Sequence, residues 1–120
     1  MAHNPNSLQV VQRAFALSVV HRLADRYQDA MANSSPGMRN QLLRAVNSIA
    51  LNLAEGTGHE SPARTASFCS TAIASCNEVE LQLRLAIALQ SIPTDCDALI
   101  EEVVEIRRMT YGFRKHILTK

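Results

Sequence analysis

The chain has 120 residues and carries 12 Lys and Arg against 11 Asp and Glu, a net charge of +1. That balance argues against a domain whose whole surface clings to nucleic acid, since such domains are clearly basic. Hydrophobic residues make up 47% but aromatics only 4%, with no Trp, so one core built from Leu, Ile, Val and Ala is expected.

Three cysteines without paired spacing point to a reducing compartment rather than a disulfide scaffold. The opening MAHNPNSLQVVQRAF has no charged start, apolar run or small-residue cleavage site, so no signal peptide is expected. No apolar run is long enough to span a bilayer. The expectation is a soluble cytoplasmic domain with no membrane contact.

Punctuation then divides the chain into four helices. Asn6 or Ser7 caps a first helix, over about 7–32, which is apolar nearly all round from Leu8 to Val20. The stretch MANSSPG interrupts it. Ser35 followed by Pro36 is an N-cap with proline at the first helical position, where its missing N–H costs nothing. It opens a second helix over 36–55, with Gly56 expected as the left-handed residue just past its end. Ser61-Pro62 repeats the signature and starts a third helix over 62–90, broken by Ser91-Ile92-Pro93. Thr94-Asp95-Cys96-Asp97 is a short-armed relative of the capping box and begins a fourth helix over 95–118. No β-rich alternating stretch or Asn-Gly hairpin signal appears. The fold class is all-α, in four helices.

Periodicity adds a second conclusion. Leu42, Val46, Ile49 and Leu53 give the second helix one clear apolar stripe. The third has Cys69, Ala72, Ile73, Cys76, Val79, Leu83 and Ile87 on one face. On roughly the opposite side stand Leu81, Leu85, Ala88, Leu89 and Ile92. The fourth spreads Leu99, Val103, Ile106, Phe113 and Ile117 over one face and Ile100, Val104, Tyr111 and Leu118 beside it. One protomer of this size cannot bury both stripes of the third helix, and exposed apolar patches of that extent mark an interface. A homo-oligomer is therefore expected, with Leu81, Leu85 and Leu89 as its apolar contacts.

The polar patterns hold few reagents. Gly56-Thr57-Gly58 follows a helix rather than a strand, and no Walker lysine follows it, so it reads as a helix end and tight turn, not a phosphate loop. Gln41, Arg44, Ser48, Asn52 and Glu55 step by three, four, four and three, a polar ribbon beside the apolar stripe. Such a ribbon is either a solvated face or, in an oligomer, a surface against a neighbour, with Arg44 and Glu55 finding ionic partners there. Glu80 projects close to the middle of the Cys69–Ile87 stripe, so its carboxylate is expected to be partly buried and paired with Arg44 or Arg13.

Enzyme chemistry finds little footing. A di-metal carboxylate bundle needs Glu-x-x-His pairs, and none exists here. Cys69 and Cys76 lie too far apart to share zinc without other ligands and read as small core hydrophobes. No catalytic, cofactor or metal site is expected. The last helix segregates charge: Asp95, Asp97, Glu101, Glu102 and Glu105, then Arg107, Arg108, Arg114, Lys115 and Lys120. Macrodipole complementarity and solvation account for this in a monomer. In a ring of like-oriented copies the cations gather on one face, making Arg107, Arg108, Arg114, Lys115 and Lys120 candidates for contact with RNA or another nucleic acid.

Residues Gln41, Leu42, Arg44, Ala45, Ser48, Ile49, Asn52, Ala54, Glu55, Gly56 and Gly58, followed by Phe68, Ala72, Ser75, Glu78, Gln82 and Leu83, carry a resemblance. Together with Val10 to Ala14 they are similar to the 23S rRNA-intervening-sequence proteins, related to the accessory variability proteins of diversity-generating retroelements. The resemblance runs from about 8 to 118 and centres on Asn-x-Ala-Glu-Gly. It implies an antiparallel up-and-down four-helix bundle as protomer, assembled into a homopentameric ring, and no known catalysis. The retroelement relatives bind nucleic acid and a reverse transcriptase as strongly basic barrels. This chain departs from them in its balanced charge, in His59 where a basic residue is usual, in Ala50 where proline is frequent, and in Val11 where Trp is customary. A scaffold or adaptor with weak RNA contact is the leading expectation. Alternatives are a nucleic-acid-binding accessory module for a reverse transcriptase, and a metal-carboxylate enzyme.

Overall fold

The computed structural model describes residues 5–19, 36–58, 60–89 and 97–119. Four helices appear in chain order: α1 (Pro5–Val19), α2 (Pro36–Thr57), α3 (Pro62–Ala88) and α4 (Asp97–Leu118). The described residues contain no strand. The expected run of the first helix to Ala32, the Ser35 cap, His59, the Ser91–Pro93 break, the Thr94–Cys96 part of the last cap, and Lys120 lie outside the described residues.

Local chemistry sets the helix starts. Ser61 has the extended backbone of an N-cap, its Oγ accepts the Arg64 N–H at 3.3 Å, and Pro62 occupies the first turn. The end of α2 differs from expectation. The helix continues through Gly56 to Thr57, and Gly56 does not adopt a left-handed φ. What demands glycine is close approach: a Cβ on Gly56 would sit 2.9 Å from Phe68 Cβ. The buried Thr65 Oγ1 donates to the Gly56 carbonyl at 2.9 Å and clamps the start of α3 against the end of α2. Gly58 then closes the turn, its N–H donating to Glu55 O at 3.2 Å.

Both α1 and α3 pack against α2 and α4, most extensively along the α2–α3 line. Val10, Ala14 and Leu17 from α1 meet Leu42, Val46, Ile49 and Leu53 from α2 in one core. It continues through Ala72, Cys76, Val79 and Leu83 of α3 and Leu99, Val103 and Ile106 of α4. Burial of each large aliphatic side chain stabilises the fold by about 1.5–3 kcal/mol. The two thiols behave as core hydrophobes, and burial pushes Cys69 up to about 11 and Cys76 up to about 12. No helix among the described residues is long and apolar enough to cross a membrane.

Candidate interaction surface

Four surfaces of α3 and its neighbours carry the sequence-predicted residues. The first is a polar seam between α2 and α3. Ser48 Oγ lies 2.8 Å from Ser75 Oγ, and the Asn52 amide donates to both the carbonyl and the hydroxyl of Ser48, at 2.8 and 2.9 Å. Beside it is an open cleft of about 420 Å³ lined by Gln41, Arg44, Ala45, Ser48, Ser75 and Glu78. Arg44, Ser48 and Asn52 of the predicted ribbon therefore converge with Ser75 and Glu78 of α3. Glu55 is exposed one turn further along α2.

The second surface corrects an expectation. Glu80 is partly buried, its side chain 19% exposed, but neither Arg44 nor Arg13 is its partner. Its carboxylate accepts from Arg84 Nε at 2.9 Å and Arg107 Nη1 at 2.6 Å, and the same Arg107 nitrogen donates to Asn77 Oδ1 at 2.8 Å. The Arg84 and Arg107 guanidiniums hold the Glu80 carboxyl below its ordinary range. The physical reason is angular: position 80 lies about 100° around the helix from Val79, on the flank facing α4. Arg13 instead grips Glu102 with two nitrogens, Nε to Oε2 at 2.9 Å and Nη2 to Oε1 at 2.5 Å, joining α1 to α4.

The third surface is the basic half of α4. Arg107 is committed to Glu80, and Arg108 pairs with Glu105 within its own helix. Arg114 is half-buried and Lys115 exposed. The predicted cations thus divide, Arg107 and Arg108 being ion-paired while Arg114 and Lys115 remain for other contacts.

The fourth surface is apolar. Leu81, Leu85 and Leu89 are 68%, 49% and 62% exposed, so nothing among the described residues covers the second stripe of α3. Leu51 on α2 is exposed to 69%. Val104, Tyr111 and Leu118, one heptad apart on α4, are exposed as well. Sequence reasoning missed Leu51 and Ser75 as surface and seam residues. Leu51 sits between Ala50 and Asn52, outside the apolar stripe of its helix. Ser75 reads as one small residue in an apolar stripe. Among the described residues no group of His, Cys, Asp or Glu is arranged to hold a metal ion.

The sequence model of the 23S rRNA-intervening sequence proteins matches residues 6–112. The chain belongs to that family. No curated protein matches the sequence. Among solved structures, the 23S rRNA-intervening sequence fold seen here is similar to that of a protein of unknown function from the S23 ribosomal protein family of Bacteroides thetaiotaomicron. The TM-score is 0.80 at 23% identity, covering 92% of this chain and 98% of that one. At that identity the likeness concerns the fold alone. The seam, the Glu80 ion pairs and the exposed Leu81–Leu89 row all lie within the stretch that the 23S rRNA-intervening sequence model covers.

Proposed function

We propose that this 23S rRNA-intervening sequence protein is a non-enzymatic scaffold or adaptor. Its protomer is an antiparallel up-and-down bundle that closes with copies of itself into a homopentameric ring. The antiparallel reading rests on pairings that run in opposite chain directions: between α2 and α3, Gly56 with Thr65, then Ser48 with Ser75; between α3 and α4, Glu80 with Arg107, then Ser70 and Ala74 across a groove from Tyr111 and Arg114. Self-assembly rests on one observation, the exposed row Leu81, Leu85 and Leu89. Covering these side chains gains about 1–2 kcal/mol apiece, and only a surface of matching apolar character realises it. The choice of five copies follows the family resemblance.

Sedimentation at micromolar concentration tests the reading. The expected mass is five times 13.2 kDa, and Leu85→Glu shifts it to smaller species while the helical circular dichroism is retained. A single compact 13.2 kDa chain would overturn the scaffold.

A second reading, RNA contact, is favoured by Arg114 and Lys115. Neither is in an ion pair among the described residues, whereas Arg107 and Arg108 are. Association with generic RNA that weakens steeply as salt rises is its signature.

A further inference from the structure

Between α3 and α4 runs an open groove of about 290 Å³, lined by Ser70, Ile73, Ala74, Asn77, Tyr111 and Arg114. Ile73 is buried and, with Ala74, gives the groove an apolar wall. Tyr111 stands at its lip, 50% exposed. Asn77 spends its Oδ1 on Arg107 at 2.8 Å, which orients its NH2 to donate elsewhere. Ser70 donates to Ala66 O at 3.1 Å and keeps its lone pairs for an incoming donor.

Arg114 is the exception among these groups. Its Nε is buried without a hydrogen-bond partner. That atom is closed to an incoming group, but the half-buried guanidinium carries a permanent charge with no ion pair among the described residues, and its accessible nitrogens suit an oxyanion. The surroundings favour an anion too. No carboxylate lines the groove, and beside it Arg107 is paired with Glu80 while Arg114 and Lys115 have no ion pair among the described residues.

We propose that this groove takes one nucleotide unit of a single-stranded nucleic acid. The backbone phosphate sits on the accessible part of the Arg114 guanidinium and the Asn77 amide, and the base stacks on the exposed face of Tyr111. The proposal deepens the RNA-contact reading and rests on it. An acidic peptide would satisfy Arg114 but leave the ring of Tyr111 unused. The centres of the groove and of the Leu81–Leu89 row are roughly 17 Å apart along α3, so nucleotide binding and self-assembly use different stretches of the helix.

Fluorescence anisotropy with a fluorescein-labelled oligouridylate of about ten nucleotides tests the assignment, since sites on this scale serve single strands. Wild type is expected to bind at low salt. Tyr111→Ala weakens binding about 5- to 100-fold, and Tyr111→Phe leaves it unchanged. Arg114→Gln weakens binding and makes the plot of log affinity against log salt shallower by about 0.7, the change expected for one phosphate fewer neutralised. Tyr111 is exposed, so its variants report even if Arg114→Gln proves unstable. No binding by wild type at low salt overturns the RNA-contact reading and the groove with it. Binding by wild type that neither Tyr111→Ala nor Arg114→Gln changes overturns the groove alone. If Arg114→Gln alters the sedimenting mass but not the affinity for the oligouridylate, the groove holds a carboxylate of another copy, and the proposal falls.

Discussion

Replacing Gly56 by alanine asks whether the α2–α3 corner is as tight as its geometry indicates. The new Cβ would lie 2.9 Å from Phe68 Cβ and 3.5 Å from Thr65 O. Phe68 Cβ is fixed to the α3 backbone and cannot swing aside, so the helices themselves must part. Overpacking of this kind costs about 1–3 kcal/mol. Parting them also stretches the buried 2.9 Å bond from Thr65 Oγ1 to Gly56 O, a further cost of about 1 kcal/mol. Alanine's better helix propensity offsets about 1 kcal/mol. The net expectation is destabilisation by about 1–3 kcal/mol. Gly112→Ala is the matched control, because a Cβ there meets nothing within 4 Å; it stabilises by about 1 kcal/mol. Urea unfolding followed by far-UV circular dichroism, at one fixed protein concentration, measures both. Phe68→Ala keeps the offending Cβ, so Gly56→Ala remains destabilising in that background. A Gly56→Ala protein as stable as wild type would refute the argument from close approach.

Three further outcomes follow from the side-chain geometry. Glu80→Gln loses two charge-assisted bonds and about 1 kcal/mol at neutral pH. Because the folded carboxyl is held below its ordinary value, the difference from wild type is full above the unfolded pKa of about 4.3 and disappears as pH falls through the lower folded value; a pH series of urea midpoints that stays parallel down into strong acid would contradict this. Across the seam, Ser48→Ala, Ser75→Ala and the double variant form a cycle with an expected coupling of about 0.5–1.5 kcal/mol for the 2.8 Å contact, and a coupling of zero removes that hydrogen bond from the stability of the fold. Finally, thiols raised to about 11 and about 12 by burial stay protonated at pH 8, so Cys69 and Cys76 resist iodoacetamide until urea opens the core; rapid alkylation of either site in the native protein, located by peptide mass spectrometry, would show that the core is not closed around them.

Periodicity and punctuation carry most of the architecture. Leu42, Val46, Ile49 and Leu53 are buried along α2, and Ser61-Pro62 caps α3 as its residue types dictate. These features are legible because each depends on neighbours three or four residues away. Gly56 and Glu80 escape sequence reasoning for a common reason. A glycine after a helical run has two uses, a left-handed residue or a close approach, and only Phe68 from the next helix decides between them. The partial burial of Glu80 is legible from its place on α3, but its partner depends on which flank of that helix meets α4. Arg107 stands 27 residues away in sequence, and no local spacing links the two. The candidate surfaces divide the same way: Leu81, Leu85 and Leu89 declare themselves on one helix, whereas the joining of Ser75 to Ser48 and of Asn77 to Arg107 requires the packed bundle.

Helix α3 is engaged on its inner face and on both flanks. The inner face supplies Cys76, Val79 and Leu83 to the core, one flank gives Ser75 to the α2 seam, and the other binds Arg107 through Asn77 and Glu80. Only the outward sector remains, and there Leu81 and Leu85 stand exposed beside Glu78 and Arg84. A helix in contact with solvent over that sector keeps polar side chains on it. Arg84 bonds to Glu80 of its own helix, and Leu81 and Leu85 stay 68% and 49% exposed beside that pair. Turning α3 to bury the row would dismantle the Glu80 pairs and pull Val79 and Leu83 out of the core. Association with further copies, as proposed, would cover the row while leaving those contacts in place.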